Sequence, residues 1–260
     1  MSSTLDDDVY KFEWPFPRRS SLLFRICSNI VLTSVFLASK LLFSFSWNRI
    51  TVSNKEKLLH LLADRSRPLI TIANHRCTVD DPLLWTIFSF REFFANVSRF
   101  RYALAAHNIC FTNAWHTKFF SLGLCVPVVR GAGVHQRGVD FCIEKLAENR
   151  WVHVFPEGKV TPHPIRIKWG VARMIMECPT PPIVLPIWIQ RMNEVWSPSP
   201  PYHPIFGKHV HVTIGDELDM KECLPHLCGN TEVERRKAIA DLVQGRLFDL
   251  GEKLETQLQT

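Results

Sequence analysis

Residues 69–91 constrain the fold of this 260-residue chain more than any other stretch. They open with a short, mostly β-branched apolar run, break at the polar pair Asn74 and His75, and resume as an apolar helical pattern behind Asp81 and Pro82. A proline at the first helical position needs no backbone N–H, and an aspartate before it can cap the helix. The stretch therefore predicts a strand, a turn and a helix capped by Asp81.

His75 and Asp80 lie in the predicted turn, five residues apart. A continuous helix would place them roughly 140° apart, and a strand would place them on opposite faces, so they meet only if the chain bends between them. In a bent His–Asp pair the carboxylate fixes one imidazole nitrogen as a donor and leaves the other free to take a proton from a hydroxyl. We interpret the pair as a candidate general base and its partner, although a histidine near an aspartate is commonly an ordinary surface turn.

Three further stretches follow the first one in the chain. They read GLCVPVVR at residues 123–130, VFPEGK at 154–159 and IVLPIW at 183–188. Together with the N-H-x-x-x-x-D pattern from Asn74 to Asp80, these blocks resemble the motifs of the glycerolipid acyltransferases over about half of the chain. The resemblance implies an enzyme that transfers acyl groups, with His75 and Asp80 as its catalytic residues.

The resemblance also implies which residues bind the lipid substrate. They are Asn74, Arg130, Glu157, Gly158, Lys159 and Lys168. In the family, the equivalent of Glu157 lies in the polar head-group site near the glycerol hydroxyl, and Lys159 replaces a more common threonine. A guanidinium at the end of a strand beside a Gly-rich turn is suited to binding a phosphate, although without the family block we would interpret Arg130 as a solvated residue at a strand end. Arg166, close to Lys168 in the sequence, is a further basic candidate.

The residues around these blocks, including WVHVFPEGKV, KWG and SPPY, are similar to one kind of family member, a phospholipid transacylase that works without coenzyme A. This likeness implies that no cofactor is needed and that an acyl chain moves between phospholipids and lysophospholipids. The implied donor is phosphatidylcholine and the implied acceptor is monolysocardiolipin, so that cardiolipin is remodelled. The implied location is the mitochondrial membranes, facing the intermembrane space.

Three alternatives remain open. A lysophospholipid acyltransferase that uses acyl-CoA would share every motif, and a non-catalytic protein could use the same basic residues to bind anionic lipid. A serine lipase is disfavoured because the chain has no G-x-S-x-G motif. Cys77, between His75 and Asp80, could in principle carry an acyl group, but we expect a small residue that faces the core.

A net charge of +6 indicates an anionic partner, either nucleic acid or a membrane surface. Basic residues and tryptophans flank the apolar residues 20–47 instead of lining a polar helix, which favours a membrane and no nucleic acid. Between Arg25 and Lys40 the apolar run is about 14 residues, or roughly 21 Å as a helix, short of the ~30 Å bilayer core. We therefore expect a monotopic helix or helical hairpin embedded in one leaflet, in preference to a single span.

The sequence suggests three parts: a polar N-terminal segment (1–19), a membrane-embedded helical anchor (20–47) and a glycerolipid acyltransferase domain (48–260). Three aspartates and no arginine near the start argue against a cleavable presequence. Eight scattered cysteines form no CxxC pair, and Cys223, His226 and Cys228 lack further ligands, so we expect no metal site. The sequence does not predict an oligomeric state.

Alternating strands and helices predict an α/β domain with a mixed, largely parallel sheet flanked by helices. Helices are expected over residues 53–62, 114–122, 139–149 and 170–178, and after a capping box at Thr231; strands are expected over 69–72, 124–129, 151–155, 183–189 and 209–214. Pro186 predicts an edge strand or a bulge. Gly245 and Gly251 are expected to weaken the last helix. The region around residues 99–101 gives no prediction.

Overall fold

A computed structural model describes residues 13–45, 47–227 and 229–259, with side chains as far as residue 254. The helices are α1 (Leu22–Leu42), α2 (Lys55–Ala63), α3 (Asp80–Leu84), α4 (Phe90–Asn96), α5 (His107–Cys110), α6 (Ala114–Leu122), α7 (Arg137–Ala147), α8 (Gly170–Glu177), α9 (Met220–Cys223) and α10 (Glu232–Gln259). The strands are β1 (Arg49–Ser53), β2 (Leu69–Ala73), β3 (Tyr102–Ala106), β4 (Cys125–Val128), β5 (Trp151–Val154), β6 (Ile183–Gln190), β7 (His209–Ile214) and β8 (Leu218–Asp219). Most of the predicted polar segment, residues 1–12, lies outside the described residues.

The strands form one sheet in the order β1-β7-β6-β2-β5-β3-β4, with β8 also paired to β6. The five strands from β6 to β4 run parallel, β7 and β8 run antiparallel to β6, and β1 runs parallel to β7. The predicted mixed, largely parallel α/β sheet is therefore confirmed. The carboxyl ends of β2, β5, β3 and β4 meet at one edge, which we call the carboxyl edge.

The first helical turn after β2 differs from its prediction. α3 begins at Asp80 behind Val79, and no side chain caps it. Asp81 lies inside the helix, where it forms an ion pair with Arg101 and accepts a hydrogen bond from Trp85 Nε1 at 3.1 Å. The prediction that Asp81 caps the helix is therefore wrong. Its carboxylate pairs instead with Arg101, the residue just before β3.

Pro186 occupies an interior strand, so of the two predicted settings, an edge strand or a bulge, the edge strand is wrong. On one side β6 pairs with β2 throughout; on the other, β8 pairs with Ile183 and Val184, and β7 pairs with residues 187–190. Pro186 lies at the change from β8 to β7, where the ladder needs no N–H from it. Its carbonyl still accepts a hydrogen bond of 2.8 Å from Gly215 N.

Helix α1 packs against the domain. Ser28 Oγ donates to the carbonyl of Leu122 at 2.7 Å, and the Phe36 ring stacks on Phe93 with centroids 3.9 Å apart. Leu32 and Phe36 are buried in the common core. The predicted anchor, residues 20–47, therefore contributes to the core of the predicted domain.

The opposite face of α1 is apolar and exposed. Its exposed side chains are Leu22, Leu23, Ile26, Ile30, Leu37 and Leu41. Within the described part of the chain, α1 is the one helix long and apolar enough to cross a membrane. Its 21 residues correspond to about 31 Å, longer than the interrupted run predicts, because Arg25 and Lys40 both lie inside the helix.

Helix α10 begins with the predicted capping box. Glu234 N donates to Thr231 Oγ1 at 3.2 Å, and the Glu234 carboxylate accepts from Thr231 N at 3.1 Å. Further along, Gly251 lies against Trp188 of β6, and a Cβ at this position would fall 2.4 Å from the indole ring. Gly251 therefore permits close contact between α10 and the sheet.

Candidate active site

His75 and Asp80 form a hydrogen-bonded pair directly behind β2. His75 Nδ1 lies 2.9 Å from Asp80 Oδ2, and the aspartate side chain is fully buried. An ionised carboxylate only accepts hydrogen bonds, so Nδ1 carries the proton and Nε2 is left as the basic nitrogen. The histidine side chain remains 17% exposed. The bend that the sequence requires is present, and it gives the geometry of a general base.

The same Asp80 oxygen also fixes the backbone of the turn. It accepts hydrogen bonds from Arg76 N at 2.7 Å and from Cys77 N at 2.8 Å. These bonds stabilise the carboxylate and hold the turn in one conformation. Burial raises the pKa of the Cys77 thiol to about 11, so Cys77 is a protonated core residue and a poor acyl carrier.

An aromatic stack supports the imidazole of His75. Phe155, the first residue after β5, stacks on it with centroids 4.3 Å apart, and His153 meets Phe155 edge-on at 4.6 Å. His153 is fully buried, its Nδ1 lies 2.8 Å from Thr71 Oγ1, and burial lowers its pKa to about 3. It is therefore a neutral histidine that packs behind the site.

Glu157 lies in a buried network next to the catalytic turn. Its carboxylate accepts from Arg76 Nη1 at 2.8 and 2.9 Å, from Thr161 Oγ1 at 2.5 Å and from His75 N at 3.3 Å. Its side chain has no exposed surface. The structure therefore does not support a contact between Glu157 and a lipid hydroxyl; this carboxylate joins the VFPEGK turn to the His75 turn.

Both polar atoms of the Asn74 side chain bind the backbone of the neighbouring strand β6. Its Nδ2 donates to the carbonyl of Ile189 at 2.8 Å, and its Oδ1 accepts from Ile189 N at 2.7 Å. The residue is buried. Asn74 thus holds β6 beside the turn, and this geometry does not support the expected substrate contact.

The turn after β5 carries exposed basic groups. Gly158 has a φ of +74°, and a Cβ there would lie 3.2 Å from Cγ of Lys168. The backbone of Lys168 is fixed by its N–H, which donates to Pro156 O at 2.7 Å, and Lys159 follows the glycine on the surface. Arg166 instead pairs with Asp241 of α10 at 2.9 Å, so it faces the terminal helix and not this turn.

Arg130 lies at the same edge but farther from the catalytic pair. It follows β4, is exposed, and forms no salt bridge with any residue that the structure describes. Three strand spacings, about 14 Å, separate β4 from β2, whereas β5 is the direct neighbour of β2. The motif residues after β2, β5 and β4 thus lie along one edge of the sheet, with Lys159 and Lys168 nearer to His75 than Arg130 is.

Two features of the site have no counterpart in the sequence reasoning. Arg76 and Thr161 complete the Glu157 network, and Phe155 and His153 form the wall behind His75. Arg76 is a variable position of the N-H-x-x-x-x-D pattern and Phe155 belongs to the VFPEGK block, which is a weak signal for a role in the site. The partners of Arg76 lie more than 80 positions away, so no local pattern predicts them.

Metal ligands are sparse in the described parts of the chain. No group of three or more His, Cys, Asp and Glu side chains there is placed to hold a metal ion. The rings of His209 and His211 lie 4.1 Å apart, and His209 Nε2 lies 2.7 Å from Thr51 Oγ1. Cys228, which belongs to the weak cluster noted in the sequence, lies outside the described residues.

Comparison with known proteins identifies the family of the chain. The acyltransferase family model matches residues 49–190. Tafazzin from Drosophila melanogaster is 39% identical over 254 residues, which cover 95% of this chain and 67% of that protein. N-acylphosphatidylethanolamine synthase from Arabidopsis thaliana is 35% identical over 218 residues, which cover 80% of this chain and 75% of that protein.

A solved structure has the same fold. The 1-acyl-sn-glycerophosphate acyltransferase of Thermotoga maritima superimposes with a TM-score of 0.57 at 19% identity, covering 86% of this chain and 81% of that one. The matched family region contains the His75–Asp80 pair and every strand from β1 to β6. The chain therefore belongs to the acyltransferase family, as a glycerolipid acyltransferase homologous to the tafazzins.

Proposed function

We propose that this acyltransferase moves an acyl chain from a phospholipid to a lysophospholipid without coenzyme A. The observation that carries the proposal is the imidazole of His75, which a buried Asp80 holds with Nε2 free to act as a base. The similarity to tafazzin over 95% of the chain supports the choice of lipid as both donor and acceptor.

In the proposed reaction His75 Nε2 removes the proton of the lysophospholipid hydroxyl as its oxygen attacks the acyl ester of the donor. The tetrahedral intermediate then collapses, the donor glycerol oxygen leaves, and it takes the proton from the imidazolium. Asp80 stabilises that imidazolium. One oxygen ester forms while another breaks, so the reaction is nearly isoenergetic and the same histidine serves both directions.

The substrate groups that the proposal assigns are basic. Lys159 and Lys168, exposed on the turn nearest to His75, bind the phosphate of the lysophospholipid, and Arg130 binds it from the far side of the carboxyl edge. Gly158 permits the tight turn that presents the two lysines. Glu157 and Asn74 act as positioning residues, since all their described polar contacts are made within the protein.

The proposed acceptor is monolysocardiolipin, the proposed donor is phosphatidylcholine, and the proposed location is the mitochondrial membranes facing the intermembrane space. All three rest on the resemblance to the tafazzins. The exposed apolar face of α1 supports a membrane-bound protein, and the packing of its other face on the domain supports residence in one leaflet, because a spanning helix would have to leave those contacts.

The test is transfer of a labelled acyl chain from phosphatidylcholine to monolysocardiolipin by purified protein in liposomes with no coenzyme A. We expect transfer with the natural chain and none with His75→Ala. Transfer that appears only with acyl-CoA would establish the CoA-dependent alternative. No transfer under either condition, with liposome binding intact, would favour a non-catalytic lipid-binding protein.

A second acceptor is worth including, because one relative is an N-acylphosphatidylethanolamine synthase that is 35% identical. The candidate nucleophile is then the amine of phosphatidylethanolamine, which His75 could also deprotonate as it attacks the ester. Adding phosphatidylethanolamine to the same liposomes and following the labelled chain by mass distinguishes an amide product from an ester. An amide as the main product would replace the lysophospholipid assignment.

Membrane topology has a separate test. If α1 stays in one leaflet, tags placed before Trp14 and after residue 260 are accessible from the same side of the membrane, and alkaline carbonate leaves the protein bound. Tags on opposite sides would establish a single span.

A further inference from the structure

A cavity of about 970 Å³ lies between α1, α5, α6 and the segment that precedes α1. It is large enough for the head group and the upper glycerol region of a lipid. Its lining combines charge with amide and hydroxyl groups: Glu13, Asn108, Thr117 and Lys118 all contribute. Such a lining suits a polar ligand that carries charge.

One wall of the cavity lies at the carboxyl edge. His107, which lines it, is the first residue after β3, and β3 is separated from β2 by a single strand. Two strand spacings correspond to about 10 Å along the edge from the turn of His75.

The helices that line the cavity also carry apolar side chains. Ile109 of α5 and Trp115 and Phe119 of α6 are all exposed, and Phe24 of α1 belongs to the lining. A lipid whose head enters the cavity could therefore keep its acyl chains against an apolar surface. A soluble polar metabolite has no apolar part that would bind to that surface.

Direct transfer between two lipids needs both of them bound at once. The proposed reaction has no acyl-enzyme intermediate, and the buried thiol of Cys77 is a poor carrier. The proposed function assigns the basic residues near His75 to the acceptor. The donor head group needs a second polar site within reach of the same histidine, and this requirement rests on the proposed function.

We propose that the cavity between α1, α5 and α6 binds the zwitterionic head group of the donor phospholipid. Lys118 pairs with the phosphate of the lipid, and Glu13 pairs with its ammonium group. Asn108 and Thr117 supply further hydrogen bonds. A head group with an anion and a cation matches this lining better than a purely anionic one.

The binding test uses His75→Ala protein, which cannot turn the lipid over, titrated calorimetrically with soluble dihexanoylphosphatidylcholine. Adding Lys118→Gln should weaken binding about tenfold, the loss of one charge-assisted contact. Adding Glu13→Gln should weaken binding of this lipid but not of dihexanoylphosphatidylglycerol, which has no ammonium group. Lys237→Gln, an exposed lysine of α10 outside the cavity, should change neither.

The kinetic test uses the active protein and varies the two lipids separately. Lys118→Gln should raise the KM for phosphatidylcholine and leave the KM for the lysophospholipid unchanged. Wild-type affinity in the Lys118→Gln titration, or a raised KM for the lysophospholipid instead, would overturn the proposal. The titration needs no acyl transfer, so a requirement for acyl-CoA would overturn the proposed function while the titration still decides whether the cavity binds the head group.

Discussion

Arg76 and Glu157 form a buried ion pair in which one guanidinium nitrogen lies 2.8 and 2.9 Å from the two carboxylate oxygens. The pair connects the turn after β2 to the turn after β5, and the same carboxylate accepts from His75 N. Two carboxylates thus fix this turn: Glu157 accepts from His75 N and pairs with Arg76, and Asp80 accepts from the His75 ring and from the N–H groups of Arg76 and Cys77.

Removing one member of the ion pair should destabilise the protein strongly. Glu157→Gln leaves Arg76 charged and buried, which costs about 3–5 kcal/mol of unfolding free energy. The double variant Arg76→Met with Glu157→Gln should lose less than the sum of the two single variants. Denaturant unfolding measures all three. A raised KM for lysophospholipid in Glu157→Gln without a loss of stability would instead place this carboxylate on the substrate.

Replacing the catalytic pair should separate activity from stability. His75→Ala should reduce transfer by about 10²–10⁴ and leave folding intact, because the ring is partly exposed. Asp80→Asn should reduce transfer similarly and also cost about 1–3 kcal/mol of stability, because the buried carboxylate accepts three hydrogen bonds. His60→Ala, on the exposed side of α2, is the control. Near-normal turnover in His75→Ala would contradict the assigned base.

The increase in KM on removing a phosphate contact should be smaller for residues farther from His75 along the carboxyl edge. Lys159→Gln should raise the KM for lysophospholipid about tenfold, since its turn adjoins that of His75. Arg130→Lys keeps the charge but loses the planar fork, so it should raise the same KM by a smaller factor. Membrane binding, measured by liposome flotation, should change little in either. Unchanged KM values would show that these side chains do not bind the phosphate.

The buried histidine should make stability depend on pH. His153 has a pKa near 3 in the folded protein, below its usual value of about 6.5, so the unfolded chain binds a proton first as the pH falls. Its contribution is complete above about pH 6.5 and is lost toward pH 3. His153→Gln keeps an acceptor for Thr71 but gains no proton. Between pH 6 and 4 the wild type should lose about 1 kcal/mol per pH unit more than this variant; parallel curves would refute the assignment.

Two glycines of α10 should respond in opposite directions to the same substitution. Gly251→Ala places a methyl group 2.4 Å from the ring of Trp188 and should cost about 1–3 kcal/mol. Gly245→Ala meets nothing within 4 Å and should stabilise the helix by roughly 0.5–1 kcal/mol. Thermal unfolding of the two variants is the measurement. Equal changes in stability would mean that the contact with Trp188 does not require a glycine at position 251.

Local patterns predicted most of the elements that carry the site. The β2 strand, α6 with its stop before β4, β5 and the capping box of α10 all lie where periodicity and end signals place them. For β3, which follows the buried Arg99 and Arg101, the local pattern allowed no prediction. Arg99 donates to the carbonyls of Asp64 and Asn149, and partners 35 and 50 positions away leave no local pattern.

The sequence by itself determined the pairing of His75 and Asp80, because a histidine and an aspartate five residues apart in a strand–turn–helix unit can meet only through one local bend. Tertiary structure alone decided the roles of Glu157 and Asn74. Each lies in a recognisable motif, but its polar atoms are bound by groups 82 and 115 positions away. Whether a motif residue contacts substrate or supports the turn depends on which distant chain segment the sheet brings beside it.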